Sequence, residues 1–420
     1  MKLKQLICLL LAALLLGACG SPAGPTEATE ETKPTDAWLD PVVPTDAAES
    51  LGKPEPVEDL TVPDQTAAVG GANFALDLLR GAAKPDATTI LSPYSALLAL
   101  GMTANGANSA TLQEMEQAIG AKTDDLNHWL AACRLAEDGK VVSANSLWTR
   151  QELEVRKEFR KTIRKQYDAE LHEGEFGMEA VNDWVRKNTK GRIEKILEQD
   201  DPMSQACLVN ALTFDAEWPV AYTPESVYDG TFFTSDGSRQ VVPFLHSVEE
   251  SYFELAGAEG FVRPYAGERY VFAGLLPAEG TTPEELLQAL DGEALLNALG
   301  EPQTEEVHVA IPKLIAATDR MQLKEPLRAM GMELAFTDAA DFSRLAEKPL
   351  KIDSVQHKVW LQLDEQGTQA AAVTSTLMAP TAAADMEEPK TIALTRPFLF
   401  VIFDHETQSI VFLGIVNQIS

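Results

Sequence analysis

Residues 364–390 read DEQGTQAAAVTSTLMAPTAAADMEEPK, a run of small and polar side chains between two strongly apolar segments, with only thirty residues after it. A linker of this composition joins two domains, and thirty residues are too few to build a second one. The flanks tighten the constraint. Val359, Leu361 and Leu363 alternate with Lys358, Trp360, Gln362 and Asp364, the period-two signature of a strand with one buried face. Gly367 breaks the alternation, and beyond it Thr368, Ala370, Ala372, Thr374 and Thr376 share one parity and are all small. A face of small side chains can slide between two existing strands without overpacking a core, whereas Leu or Phe there would cost about 1–3 kcal/mol each. The stretch is predicted to be a loop that can become a strand.

From about residue 66 to the end the pattern is globular. Residues 73–80 have helical apolar spacing, and Ser92-Pro93-Tyr94-Ser95 puts a capping hydroxyl and a proline at a helix start. Further helices are predicted at 108–119, 123–136, 152–168 and 179–197. Strands are predicted at 205–214, 268–277, 305–315 and 352–363, and a buried hairpin from 397–403 and 409–416 around the polar turn 404–408. Helices mainly first and strands mainly last predict an α+β fold rather than a regular βαβ winding.

Charge and the first sixty residues bound the setting. Lys and Arg total 34 against 64 Asp and Glu, a formal charge of −30 that argues against nucleic acid as a partner. Lys2 and Lys4 precede an apolar run at 6–16 too short to span a bilayer, and the run ends in Leu16-Gly17-Ala18-Cys19. This resembles a lipoprotein signal peptide with its lipobox, in which Cys19 is acylated; an ordinary cleaved signal peptide is the alternative. Residues 20–65 hold eight prolines and only two lysines, and are expected to be a disordered acidic tether. The expected organisation is 1–19 signal peptide, 20–65 tether and 66–420 folded domain, exported and held at the cell surface or envelope. Cys133 and Cys207 remain for the domain, either as buried free thiols, the favoured reading, or as one disulfide.

Catalytic patterns are scarce. The chain has no Gly-x-Ser-x-Gly elbow, no His-Glu-x-x-His, no glycine-rich phosphate loop and no Cys-x-x-Cys. Its six histidines, at 128, 172, 246, 308, 357 and 405, show no ligand spacing, so neither metal nor cofactor is expected.

Over about 66–420 the sequence resembles the serpin family. The resemblance rests on Asn73-Phe74-Ala75, Leu91-Ser92-Pro93-Tyr94-Ser95, Leu208-Val209-Asn210-Ala211-Leu212 with Trp218, and Ile311-Pro312-Lys313. Arg396-Pro397-Phe398-Leu399-Phe400 and Phe412-Leu413-Gly414 complete it, all in the family's order and approximate spacing. It implies a serpin fold with three β-sheets, eight or nine helices and an exposed reactive centre loop offered as bait to a serine or cysteine protease. It also implies a monomer that is an inhibitor and not an enzyme. In the family, the protease is caught as an acyl-enzyme while the cut loop inserts into the central sheet and releases stored strain.

The resemblance assigns positions as well. The hinge falls on Glu365, Gly367, Thr368, Ala370, Ala371, Ala372 and Thr374, close to the inhibitory pattern; Val373 departs from it, on the outward parity. Counting forward from Gly367 puts the reactive bond at Thr381-Ala382, while counting back from Arg396-Pro397-Phe398 puts it as late as Met386-Glu387. Insertion length is the physically constrained quantity, which favours the first. Neither bond offers Arg or Lys, which implies an elastase- or subtilisin-like target rather than a trypsin-like one. Ser92, Asn210 and His357 match the family's shutter cluster and Trp218 its breach. Asp215-Ala216-Glu217 stands where relatives usually carry a Lys-Gly pair, and Thr395 replaces the usual Asn or Asp before Arg396. Two other readings stay open, a non-inhibitory serpin acting as a binding module and an exported hydrolase with an unrecognised Ser, His and Asp set.

Overall fold

The computed structural model describes residues 65–368 and 389–419, apart from 86, 175, 201 and 202. Among these, nine α-helices and sixteen strands form. The helix α1 (Gln65–Ala82) buries Phe74, Leu76, Leu78 and Leu79, and is followed by β1 (Thr89–Leu91) and α2 (Pro93–Gly106). Ser92 caps α2 as its sequence suggests, its Oγ accepting the Ser95 N–H at 3.3 Å. Pro93 occupies the first turn, where a missing N–H is harmless. Next come α3 (Ser109–Ile119), α4 (Thr123–Leu135), β2 (Val141–Thr149), α5 (Lys157–Tyr167), β3 (Glu170–Glu173) and α6 (Met178–Asn188).

The middle of the chain is strand-rich, with β4 (Ala206–Phe214), β5 (Ala216–Glu217), β6 (Val227–Phe233), β7 (Arg239–Leu255), β8 (Ala258–Pro264) and β9 (Tyr270–Leu276). After α7 (Pro283–Ala289) and α8 (Gly292–Gly300) follow β10 (Gln303–Pro312), β11 (Leu314–Gln322), α9 (Lys324–Ala329), β12 (Gln356–Leu363) and β13 (Gly367–Thr368). The described chain ends in β14 (Lys390–Ala393), β15 (Phe398–Asp404) and β16 (Ser409–Val416). Every residue of β15 and β16 is buried, which makes the expected hairpin the centre of the core.

Nine strands form one continuous ladder, β1-β16-β15-β9-β8-β7-β10-β14, with β6 on the other part of β7. The long β7 joins what are in effect two sheets. Its residues 239–245 pair with β6, 244–252 with β10 and 252–255 with β8. The third sheet is parted. One piece is β3-β2-β4, another is β11-β12, and among the described residues the only ladder between their continuations is the short β5-β13. Because β5 continues β4 after one residue and β13 continues β12 after a turn, that ladder closes the top of a gap between β4 and β12. On one face of the sheet, α6 packs Val181, Trp184 and Val185 against Trp148, Val209 and Ala211.

The observed boundaries differ from expectation where side chains end an element. The helix predicted at 152–168 starts only at Lys157, because Val155 bridges to Ala346. The helix predicted to reach 197 stops at Asn188, where the Thr189 Oγ1 turns back to the Val185 carbonyl at 2.8 Å and Lys190 and Gly191 take positive φ. The single strand predicted at 305–315 is two, separated at Lys313, whose N–H bonds to the Pro243 carbonyl at 2.9 Å. Strands β1, β2, β3, β6, β7, β8 and β14 and the helices α7, α8 and α9 have no counterpart among the predicted elements, so helices and strands interleave more than the sequence suggests.

Candidate functional site

The parted sheet is the feature of this fold that can receive something. Between residues 205–210 on the β4 side and 354–358 on the β12 side lies a cavity of about 610 Å³, with Ser95, Ala96 and Ala99 of α2 on one side of it and residues 196–200 on the other. No ladder joins β4 to β12 among the described residues. Two strand edges that face a space without pairing present rows of N–H and C=O groups, which form a template for an added strand. The side chains of β12 are already sorted. His357, Val359, Leu361 and Leu363 are buried, while Gln356, Lys358, Trp360 and Gln362 are turned the other way and only partly covered.

Three of the residues named from sequence meet beneath this gap. The Ser92 backbone N–H donates to His357 Nε2 at 3.0 Å, which ties the start of α2 to β12. Ser95 Oγ donates to Asn210 Oδ1 on β4, Asn210 Nδ2 donates to Asn145 Oδ1 at 2.9 Å, and Asn145 Nδ2 reaches the Tyr167 carbonyl at 2.9 Å. Burial lowers the His357 pKa to about 4, so the imidazole is neutral and accepts at Nε2. Ser95 and Asn145 complete the cluster; Ser95 lies in the Ser92-Pro93-Tyr94-Ser95 stretch, which by itself suggests only a capped helix start, and Asn145 belongs to no motif, because the partners of both are distant in sequence.

At the closed end, Trp218 binds the turn between β12 and β13 through backbone and ring together. Its N–H donates to the Gln366 carbonyl at 2.9 Å and its indole N–H to the Asp364 carbonyl at 3.0 Å. The ring stacks on Tyr265 at 4.4 Å, and the Tyr265 hydroxyl meets Thr368 Oγ1 at 2.7 Å. Arg263 covers Trp218 and Tyr222 at 4.6 and 4.5 Å and pairs with Glu249 beneath them. Glu365 lies 2.7 Å from Lys313. Partial burial pulls the Glu365 carboxyl up, but that ammonium and a backbone N–H outweigh it, leaving the carboxyl below its ordinary value. The signal for Arg263 was available, as a lone charge inside the apolar run Gly260-Phe261-Val262-Arg263.

Gly367 and Thr368 are therefore already strand, pairing with Glu217 and Ala216, and Thr368 is fully buried. The other hinge positions Ala370, Ala371, Ala372 and Thr374, both candidate bonds, Thr381-Ala382 and Met386-Glu387, and Cys19 lie outside the described residues. Cys133 and Cys207 are free thiols, which removes the disulfide alternative. Burial pushes both up to about 12 and so disfavours the reactive thiolate. Among the described residues no three His, Cys, Asp or Glu side chains gather as metal ligands.

Comparison with known proteins agrees with this geometry. The chain matches the family model described as serpin (serine protease inhibitor) over residues 70–419. A serpin-like protein of Thermococcus kodakarensis is 30% identical over 358 residues, covering 81% of this chain and 83% of its own. The thermophilic serpin tengpin in its native state superposes with a TM-score of 0.79 at 35% identity, covering 87% of this chain and 97% of that one. Human thyroxine-binding globulin, solved with its ligand, gives 0.73 at 25%, covering 84% and 98%. With a central sheet parted between β4 and β12 and a family match that spans the described fold, this chain belongs to the serpin family.

Proposed function

We propose that this serpin is an irreversible suicide-substrate inhibitor of serine proteases with elastase- or subtilisin-like preference. The observation that carries the reading is the alignment of the gap with the loop sequence. In the ladder between β5 and β13 each step forward along the loop is one step back towards β4. Extended in that register, Ala370 would come opposite Phe214, Ala372 opposite Leu212, Thr374 opposite Asn210 and Thr376 opposite Leu208. Those β4 positions have the parity of Asn210, which points to the α2 side, so each small residue would meet the core and Thr374 would join the polar cluster.

The chemistry follows from that fit. The protease serine attacks the carbonyl of Thr381, or of Met386 on the longer count, forming an ester and releasing the amine of the next residue. The freed strand then enters the gap. About ten new ladder hydrogen bonds at about 1 kcal/mol each give on the order of 10 kcal/mol of drive, which competes with deacylation only from a kinetically trapped native state. Cysteine proteases form the corresponding thioester and are secondary targets. No cofactor is required and the inhibitor acts as a monomer. In the same reading Cys19 carries a lipid anchor, 20–65 serves as tether, and the domain works at the cell surface or envelope.

The likeness to thyroxine-binding globulin favours a second reading, a non-inhibitory serpin that binds a ligand. The two separate on one experiment. Purified protein incubated with elastase- and subtilisin-type enzymes is expected to give a complex that survives SDS, with a released peptide starting at Ala382 or Glu387 by mass spectrometry. Ala372→Arg, which would press a guanidinium against Leu212, is expected to be cut without complex formation. Absence of any complex across the panel, or complexes indifferent to that substitution, rules inhibition by insertion out.

A further inference from the structure

One side chain ties the segment covering the gap to both of its banks. Past α6, the turn at 189–191 leads into Arg192, whose Nη2 donates to Asp215 Oδ2 at 2.6 Å, one residue beyond the end of β4. The same guanidinium carbon lies 5.6 Å from the centre of the Trp360 ring on β12. Asp215 and Trp360 belong to opposite sides of the gap, and Trp360 sits on the face of β12 away from the core. Asp215 Oδ1 is buried without a hydrogen-bond partner among the described residues, so this carboxylate leans on Arg192 for compensation. The segment beyond is fastened to α6 in turn. Asn182 Oδ1 accepts the N–H groups of Ile196 and Leu197 at 2.8 and 2.9 Å, and its Nδ2 donates to the Leu197 carbonyl at 2.8 Å.

An inserting strand cannot leave this arrangement intact. In the register set by β5 and β13, Gln369 would come opposite Asp215, and a strand placed between β4 and β12 moves them apart by about 4.8 Å. A guanidinium that now touches Asp215 and Trp360 can follow one of them.

We propose that Arg192 is a positioning residue for loop insertion, a latch between Asp215 and Trp360 that sets how fast the two halves of the sheet part. The inference rests on the inhibitory reading above. It gives opposite consequences for two properties. Weakening the latch speeds insertion after acylation, so less inhibitor is consumed by turnover per protease trapped. It also speeds spontaneous insertion of the uncut loop, so inhibitory capacity is lost sooner on standing. A residue that merely supports the fold moves the second property and leaves the first unimproved.

The test uses the full chain with Arg192→Ala and with Asp215→Asn, the latter nearly isosteric and kept in case the former fails to fold. Conversion of the uncut protein to a heat-resistant form in sub-denaturing urea, followed by native gel, is expected to be about tenfold faster in either variant, as expected for a partly buried ion pair combined with a cation–π contact. The double variant should be no faster than the singles, and the stoichiometry of inhibition against a subtilisin-type protease should fall towards one. Conversion at the parent rate, or faster conversion with a stoichiometry that stays or rises, overturns the latch. Failure of the inhibitory reading shows separately, as a parent chain whose nicked form gains no heat resistance.

Discussion

At Gly367 the backbone turns with φ of +145°, and a Cβ built there would lie 2.2 Å from the Ala216 carbonyl oxygen. Only glycine lets the chain pass from β12 into β13 while keeping the reciprocal bonds between Asp364 and Gly367 at 2.9 and 3.3 Å. Gly367→Ala is expected to destabilise the native form by about 1–3 kcal/mol, read as a lower melting temperature of the uncut protein. His357 sets a pH dependence. Its folded pKa is about 4 because the ring is buried, against about 6.5 for the unfolded chain, so the unfolded state takes up the proton first. The contribution is whole above pH 6.5 and is lost as pH falls towards 4, by roughly 3 kcal/mol across that window. His357→Gln, which keeps an acceptor for the Ser92 N–H, should flatten the melting temperature between pH 6.5 and 4; an unchanged slope assigns the acid sensitivity elsewhere. The sequence marks these positions as a glycine breaking an alternation and a histidine before an apolar run. It hides their partners, because Ser92 and Ala216 are brought to them by tertiary folding.

Elements were legible in proportion to how far their own side chains decide them. The capped start of α2, the helices α3 and α4, the strand β12 and the hairpin β15-β16 carry a period or a cap strong enough to read directly. The strand β7 does not, since its seventeen residues serve two sheets and its burial follows no single alternation. The sequence predicts α6 too long because Ile193 and Ile196 continue the apolar helical spacing of Val181 and Val185. In the fold that period serves a different purpose, as Ile193 packs beside α6 while Asn182 captures the backbone of Ile196 and Leu197. The segment that covers the gap is thus built from residues that look helical, but the helix ends at Thr189, Lys190 and Gly191, and Asn182 fixes the backbone beyond that turn. The small-residue parity of 368–376 is a comparable case in which the pattern was clear and its meaning depended on a gap that no local sequence announces.

At the scale of the whole molecule, the described fold satisfies its backbone in two sheets and leaves the third with facing edges that pair only at β5-β13. Such a sheet persists only while the segment that could complete it is held by both ends, because a loop tethered at β12 and at β14 runs the length of β4 only if β14 first leaves its pairing with β10, which is slow. Cutting the loop removes that restraint and leaves the contacts among the described residues in place. Nicking anywhere between 375 and 386 is therefore expected to raise the melting temperature, by on the order of 20 °C if about 10 kcal/mol of ladder bonding is gained. The same nick in Ala372→Arg should leave it where it was, since the strand is then free but does not fit opposite Leu212. A rise in both proteins would mean that relief of the loop itself, and not a strand added between β4 and β12, stabilises the cut form. A rise in neither would mean that the gap is an ordinary feature of a molecule already at its lowest free energy.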